Sequence, residues 1–170
     1  MDERQHILSS LPGLEGTPVE TIAALSRLFS LRQYEKLELC RQGDEADRMW
    51  VLGSGQVVVY RLLSTRKNIE IARVSAPALI GFAGTMGVPR RTATLRAEGC
   101  IDVLEISAED IEKLLDGEGP VAAAFRRVLI SAVSRQVATT NANIAKLAVA
   151  LGLAKTELSE EDLIASITLH

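Results

Sequence analysis

Cysteine and histidine are scarce in this 170-residue chain, and neither is arranged for chemistry. Cys40 and Cys100 stand far apart on apolar, strand-like segments, which gives no metal-ligand spacing. Both are expected to be reduced and buried, as in a cytosolic protein. His6 and His170 lie at the two ends, no serine sits in a nucleophile elbow, and the acidic residues fall at turns and helix starts. No catalytic residue and no metal site are read from this pattern, so the chain is not expected to be an enzyme. Apolar runs long enough to span a bilayer are missing, and the polar opening MDERQH does not read as a secretory signal. A formal net charge of −3 argues against a broad basic face for nucleic acid. The expectation is a cytoplasmic protein with neither a membrane nor a DNA partner.

What is present is ordinary for a globular fold, with 47% hydrophobic and 24% charged residues. The length suits one domain with a helical appendage. Residues 2–11 read as a short helix ended by Pro12-Gly13. Thr17 is placed to cap a second helix, with Pro18 in its first turn, Glu20 three residues after the cap, and Ile22, Leu25 and Leu28 on one face. The period then changes to two. Phe29, Leu31, Leu37 and Leu39 alternate with polar neighbours, and further strands are read at 49–52, 56–62, 69–74, 92–96 and 101–106. Turn signals separate them at Gly43-Asp44, Gly53-Ser54-Gly55 and Glu98-Gly99, with a polar loop at 64–68. Short strands at regular spacing with glycine-rich turns point to a barrel or sandwich.

From Ser107 the pattern is helical. Ser107 caps a helix through Ile111, Leu114 and Leu115 that stops at Asp116-Gly117. Pro120 opens a long helix that meets no internal Gly or Pro before Gly152. Along it Leu129, Val133, Val137, Thr140, Ile144, Leu147 and Leu151 follow one another at spacings of four and three, as in a coiled-coil seam. That face packs either on the chain's own barrel or on a second copy. At roughly thirty residues and about 45 Å the helix overshoots a barrel of this size, which favours a parallel homodimer. Ser159 caps a last short helix, read over 158–169.

The segment 79–97, LIGFAGTMGVPRRTATLRA, stands apart in chemistry. Small residues let the backbone approach an anion, consecutive amide N–H groups can line a concavity, and an arginine beside it can give a phosphate two parallel hydrogen bonds. Read blandly, the same residues make a surface turn with a solvated arginine pair.

Two motifs within this plan resemble the cyclic nucleotide-binding domain family, which includes the bacterial catabolite activator and the regulatory subunits of cyclic-AMP-dependent kinase. The resemblance covers roughly residues 18–147. RQGDEADRMWVLGSGQVVVY is similar to the family pattern xxGDxADxxYxIxxGxVxVY, matching at Gly43, Asp44, Ala46, Asp47, Gly55 and Val57. In the family this motif forms barrel turns, which implies structural roles for Asp44 and Asp47. The segment 81–97 is similar to the phosphate-binding cassette, usually GELALLxxxPRxATVxA. Gly81 takes the leading glycine, Arg91 the phosphate-binding arginine, Ala93 and Thr94 the small-residue pair, and Ala97 the closing alanine.

The resemblance implies an α+β fold: a β-roll or jelly-roll barrel of about eight short antiparallel strands, N-terminal helices, a short helix and a long dimerisation helix. Residues 1–119 would form the barrel with its helices, 120–152 the dimerisation helix and 153–170 a helical tail. It implies a regulatory module that binds cyclic AMP, cyclic GMP or another cyclic nucleotide and signals to an unidentified protein partner. Gly81, Ala83, Gly84, Arg91, Thr92 and Ala93 would hold the phosphate, and Thr139 and Thr140 would reach the base. Leu129, Val133, Val137, Thr140, Ile144 and Leu147 would form the dimer seam. No metal and no cofactor beyond the nucleotide are implied. The residues from about Gly152 onward are too few for a recognition helix, which sets the expectation apart from a transcription factor.

One departure stands at the ribose. The family's glutamate after the first glycine accepts hydrogen bonds from the sugar, and here the position is Phe82, which has no acceptor. It is expected to pack on the sugar or plug the pocket. Losing bonds to a charged acceptor costs roughly 1.5–3 kcal/mol, about one to two decades of affinity. The alternative is therefore a degenerate fold that binds no nucleotide and serves as a dimeric interaction scaffold.

Overall fold

The computed structural model describes residues 2–63, 67–87 and 89–153. The centre of the polar loop read at 64–68 and the tail helix read at 158–169 lie outside the described residues. Helix α1 (Glu3–Ser9) opens with a capping box, in which Asp2 accepts from the Gln5 amide and the Gln5 side chain accepts from the Asp2 amide. Helix α2 (Val19–Ser26) starts without the Thr17 cap. Pro18 is the cap residue, and its carbonyl takes the Thr21 and Ile22 amides. The Thr17 hydroxyl instead accepts from Arg127 at 2.8 Å. Leu28 lies beyond the end of α2 and is exposed.

Eight strands follow: β1 (Ser30–Glu35), β2 (Glu38–Cys40), β3 (Arg48–Leu52), β4 (Gln56–Leu62), β5 (Asn68–Ser75), β6 (Ala78–Ile80), β7 (Thr94–Glu98) and β8 (Cys100–Ser107). They form two four-stranded antiparallel sheets, ordered β1-β8-β3-β6 and β2-β7-β4-β5. A single turn of helix, α3 (Phe82–Thr85), stands between β6 and β7. After β8 come α4 (Ala108–Asp116), capped by Ser107 on the Asp110 amide, and α5 (Pro120–Ala150).

The sheet holding β3 and β8 is buried on both faces, and this accounts for the unbroken apolar run in β3. Met49, Val51, Leu79, Leu104 and Ile106 face a core built with α1, α2, α4 and the first turns of α5, including Phe125 and Leu129. Trp50, Leu52, Ile80, Ile101 and Val103 belong to a second core, inside the barrel, with Val57, Leu95 and Ala97 of the other sheet. By its contacts the chain divides into two units, Met1–Ala132 and Val133–His170, and α5 runs from the first into the second. Among the described residues no helix is long and apolar enough to cross a membrane.

Both cysteines are free, but they are not both buried. Cys100 is exposed because it opens β8 directly after the Gly99 turn, at the sheet's end. Cys40 is half-buried in β2.

Candidate functional site

Strand β6 pairs with β3 so that Ile80 lies opposite Trp50. The chain then turns at Gly81, in the left-handed region at φ 76°. A Cβ there would come within 2.8 Å of the Trp50 ring and 3.1 Å of an Arg91 terminal nitrogen, so glycine is required by both space and backbone. Gly84 is buried, and a Cβ on it would meet that of Ala46 at 2.7 Å. The turn therefore lies tight against the barrel, with Arg91 beside it.

Arg91 is 4% exposed, which is unusual for its type. One terminal nitrogen donates to the Gly81 carbonyl at 3.0 Å. The other donates to the Arg48 carbonyl at 2.7 Å and faces the Asp47 carboxylate at 3.4 Å. The guanidinium carbon lies 4.7 Å from the centroid of the Trp50 ring. Its Nε–H is buried and has no partner among the described residues. Both terminal nitrogens are thus held, while the buried Nε–H is left without an acceptor among the described residues.

The first motif holds this arginine in place. The Gly43 amide donates to the Arg91 carbonyl and the Arg91 amide to the Asp44 carbonyl, both at 2.9 Å. The Ala46 amide reaches the Pro89 carbonyl, and Glu45 bridges to Arg90. Arg90, the other member of the pair, is exposed and donates to the Gly43 carbonyl. Asp47 has a role beyond the turn, since its side chain pairs with both Arg48 and Arg91. The bond from Arg48, with Arg91 adding to it, holds the Asp47 carboxyl below the usual carboxylate range despite some burial. The presence of the two motifs in one chain was the only sequence signal for this ladder; neither motif reveals it alone.

The remaining cassette residues divide by environment. Ala83 and Thr92 are exposed, while Ala93 is half-buried and its carbonyl faces the Cys40 thiol at 3.9 Å. Burial pushes that thiol's pKa up, with Arg91 opposing, so Cys40 is no thiolate. Phe82 is half-buried and packs against the helix-side core. Thr139 and Thr140 are exposed on α5, in the second unit, and the Thr140 hydroxyl bonds back to the Gln136 carbonyl at 2.8 Å.

One residue of the expected seam is buried within the chain's own core. Leu129 is 2% exposed and belongs to the helix-side core. Its neighbour Ile130 is 66% exposed, and from it Val133, Val137, Thr140, Ile144, Leu147 and Leu151 follow at strict alternation of three and four. In heptad terms Ile130, Val137, Ile144 and Leu151 take a, and Val133, Thr140 and Leu147 take d. Strict spacing, rather than apolar character alone, would have selected Ile130 from the sequence.

A groove of about 960 Å³ lies elsewhere, on the outer face of the second sheet, lined by residues that include Glu38, Val58, Tyr60 and Arg96. Its charges answer one another, Glu38 pairing with Arg41 and Arg96 while Arg96 stacks on Tyr60. Among the described residues no cluster of three metal-ligating side chains occurs.

The family model for the cyclic nucleotide-binding domain matches residues 32–118. Among solved structures, a cyclic nucleotide-binding domain from Methylobacillus flagellatus is similar with a TM-score of 0.74 and 19% identity, over 92% of this chain and 85% of that one. The N-terminal domain of a transcriptional regulator from Streptomyces coelicolor gives 0.62 and 26%, over 79% and 94%. The catabolite activator protein of Thermus thermophilus gives 0.67 and 19%, over 81% of this chain and 63% of that one. No curated protein matches the sequence significantly.

Proposed function

Because the chain belongs to the cyclic nucleotide-binding domain family, we propose that it is a non-enzymatic cytoplasmic sensor whose Arg91 cradle takes the phosphate of a cyclic nucleotide. The observation that carries this reading is the buried Nε–H of the Arg91 guanidinium, which has no acceptor among the described residues. A buried donor without an acceptor costs roughly 1–3 kcal/mol, and a phosphate oxygen placed there would remove that cost with a charge-assisted bond. The amides at Phe82, Ala83 and Gly84 and the exposed Thr92 hydroxyl stand at the same turn as further donors. Phe82 brings no acceptor to the ribose position, and its ring packs against the helix-side core. Cyclic AMP, cyclic GMP and cyclic di-GMP are the ligands to test.

The output belongs to α5. The stripe from Ile130 to Leu151 carries β-branched residues at three of its four a positions, as two-stranded coiled coils prefer, while its d positions are Val133, Thr140 and Leu147. Its e and g positions, Leu129, Ser134, Gln136, Asn141, Asn143, Ala148 and Ala150, carry no charge that would repel an identical chain. A homodimer follows, with a partner protein engaged through the C-terminal helices.

One observation favours the scaffold reading. Both terminal nitrogens of Arg91 are already bound by carbonyls, as they would be in a purely structural arginine. A thermal-shift screen against the three nucleotides, with Arg91→Lys beside wild type, separates the two. A ligand at a hundred times its dissociation constant stabilises the fold by about 2.7 kcal/mol. Saturable stabilisation of wild type that the variant loses supports the sensor, and silence from all three supports the scaffold.

A further inference from the structure

Trp50 has contacts that no phosphate site requires. Register places Trp50 of β3 directly across from Glu105 of β8, both on the barrel side of the sheet. The indole Nε1–H donates to Glu105 Oε1 at 2.7 Å, and the Tyr34 hydroxyl donates to the same oxygen at 2.7 Å. Oε2 faces Arg48 at 3.4 Å and Arg32 at 3.8 Å. The Glu105 side chain is only 10% exposed, so these four groups are what keep its charge tolerable. Burial and the bond to Glu105 push the Tyr34 pKa up, which keeps its hydroxyl a donor.

An indole has a single polar handle. The bond to Glu105 anchors one edge of an indole that the barrel core packs around, and the Arg91 guanidinium carbon lies 4.7 Å from the ring centroid. Glu105 and Arg91 share neither a hydrogen bond nor an ion pair; the indole joins them on one side, and Arg48, which faces Glu105 and gives its carbonyl to Arg91, joins them on the other. We propose that Tyr34, Glu105 and Trp50 form a positioning set for Arg91, in which the carboxylate helps to orient the ring and the ring, together with the carbonyls of Gly81 and Arg48, orients the guanidinium. The inference bears on the proposed phosphate site, yet its physical content is present without any ligand.

Nuclear magnetic resonance on the full chain, without ligand, tests it. Side-chain protons of an arginine stacked on an indole are shifted by the ring current, and Arg91 resonances in wild type should show this displacement. In Glu105→Ala, and to a smaller extent in Tyr34→Phe, they should move toward unstacked positions. Glu105→Gln, which keeps an acceptor oxygen, should restore most of the displacement. Arg91 resonances that stay fixed while the Trp50 indole N–H loses its acceptor would overturn the proposal. Should Glu105→Ala fail to fold, Tyr34→Phe and Glu105→Gln carry the same comparison. Titration with cyclic AMP then addresses the nucleotide separately, with an expected three- to tenfold weakening in Glu105→Ala relative to wild type. A wild type silent to cyclic AMP, cyclic GMP and cyclic di-GMP with Arg91 displaced as described would count against the sensor reading and leave the positioning relation standing.

Discussion

The guanidinium of Arg91 lies 4.7 Å from the Trp50 ring centroid and its terminal nitrogen donates to the carbonyl of Gly81, the residue that gives both of them room. Three residues distant in sequence thus define one rigid corner, and each predicts a separate consequence.

Gly81→Ala should be poorly tolerated. The new methyl would stand 2.8 Å from the Trp50 ring, on a backbone at φ 76°. Chemical denaturation should show a loss of about 1–3 kcal/mol from backbone strain alone, and stability equal to wild type would contradict the described packing.

Arg91→Lys keeps the charge and loses the fork. The carbonyls of Gly81 and Arg48 cannot both be met by one ammonium in the same geometry. The ligand-free protein should lose about 1–3 kcal/mol in urea unfolding. No loss would show that the guanidinium contacts contribute nothing to the fold.

Acid should act partly through Asp47. Its folded-state pKa is depressed, first by the bond from Arg48, so the unfolded chain binds a proton more readily and the pair stabilises the fold above the ordinary carboxylate range. That contribution disappears as pH falls through the folded value. Asp47→Asn should therefore show a flatter decline in stability below about pH 4 than wild type. Identical acid profiles would mean that the half-exposed Asp47 carboxylate is screened by solvent.

Leu129 and Ile130, adjacent in sequence, should separate folding from assembly. Leu129→Ala opens a hole in the helix-side core and should cost about 2–5 kcal/mol, without changing the packing of the exposed stripe. Ile130→Lys should leave the barrel's stability near wild type and weaken self-association in sedimentation equilibrium, as should Ile144→Lys. Association unaffected by either lysine would exclude this stripe as the dimer seam.

Much of the architecture was legible. Strand β4 and helix α4 carry clean periods with unambiguous caps and turns, so their limits read directly from residues such as Gly55, Ser107 and Gly117. Alternation marked the strands at 69–74 and 101–106, and the family pattern at 41–60 and 81–97 joined the strands into a barrel. What escaped was local or three-dimensional. Strand β6 is three residues long and reads as an apolar lead-in to Gly81, since no period can show in so few positions. Pro18 displaced Thr17 as the cap through its backbone, which composition does not reveal. The direction of Phe82 depends on which way a single helical turn faces, and Asp47's pairing with Arg91 spans 44 positions of sequence. Leu129 and Ile130 are both apolar, and only the three-four count separates core from stripe.

Trp50 is the one tryptophan in the chain and stands against Arg91, so its fluorescence reports directly on the cradle. The most direct measurement is a titration of that emission with cyclic AMP, cyclic GMP and cyclic di-GMP, in wild type and Arg91→Lys. The account predicts a saturable change with one of them in wild type, and its loss or a shift to at least tenfold higher concentration in the variant. No change with any of the three in folded wild type, or the same curve in both proteins, would contradict the claim that Arg91 receives a nucleotide phosphate.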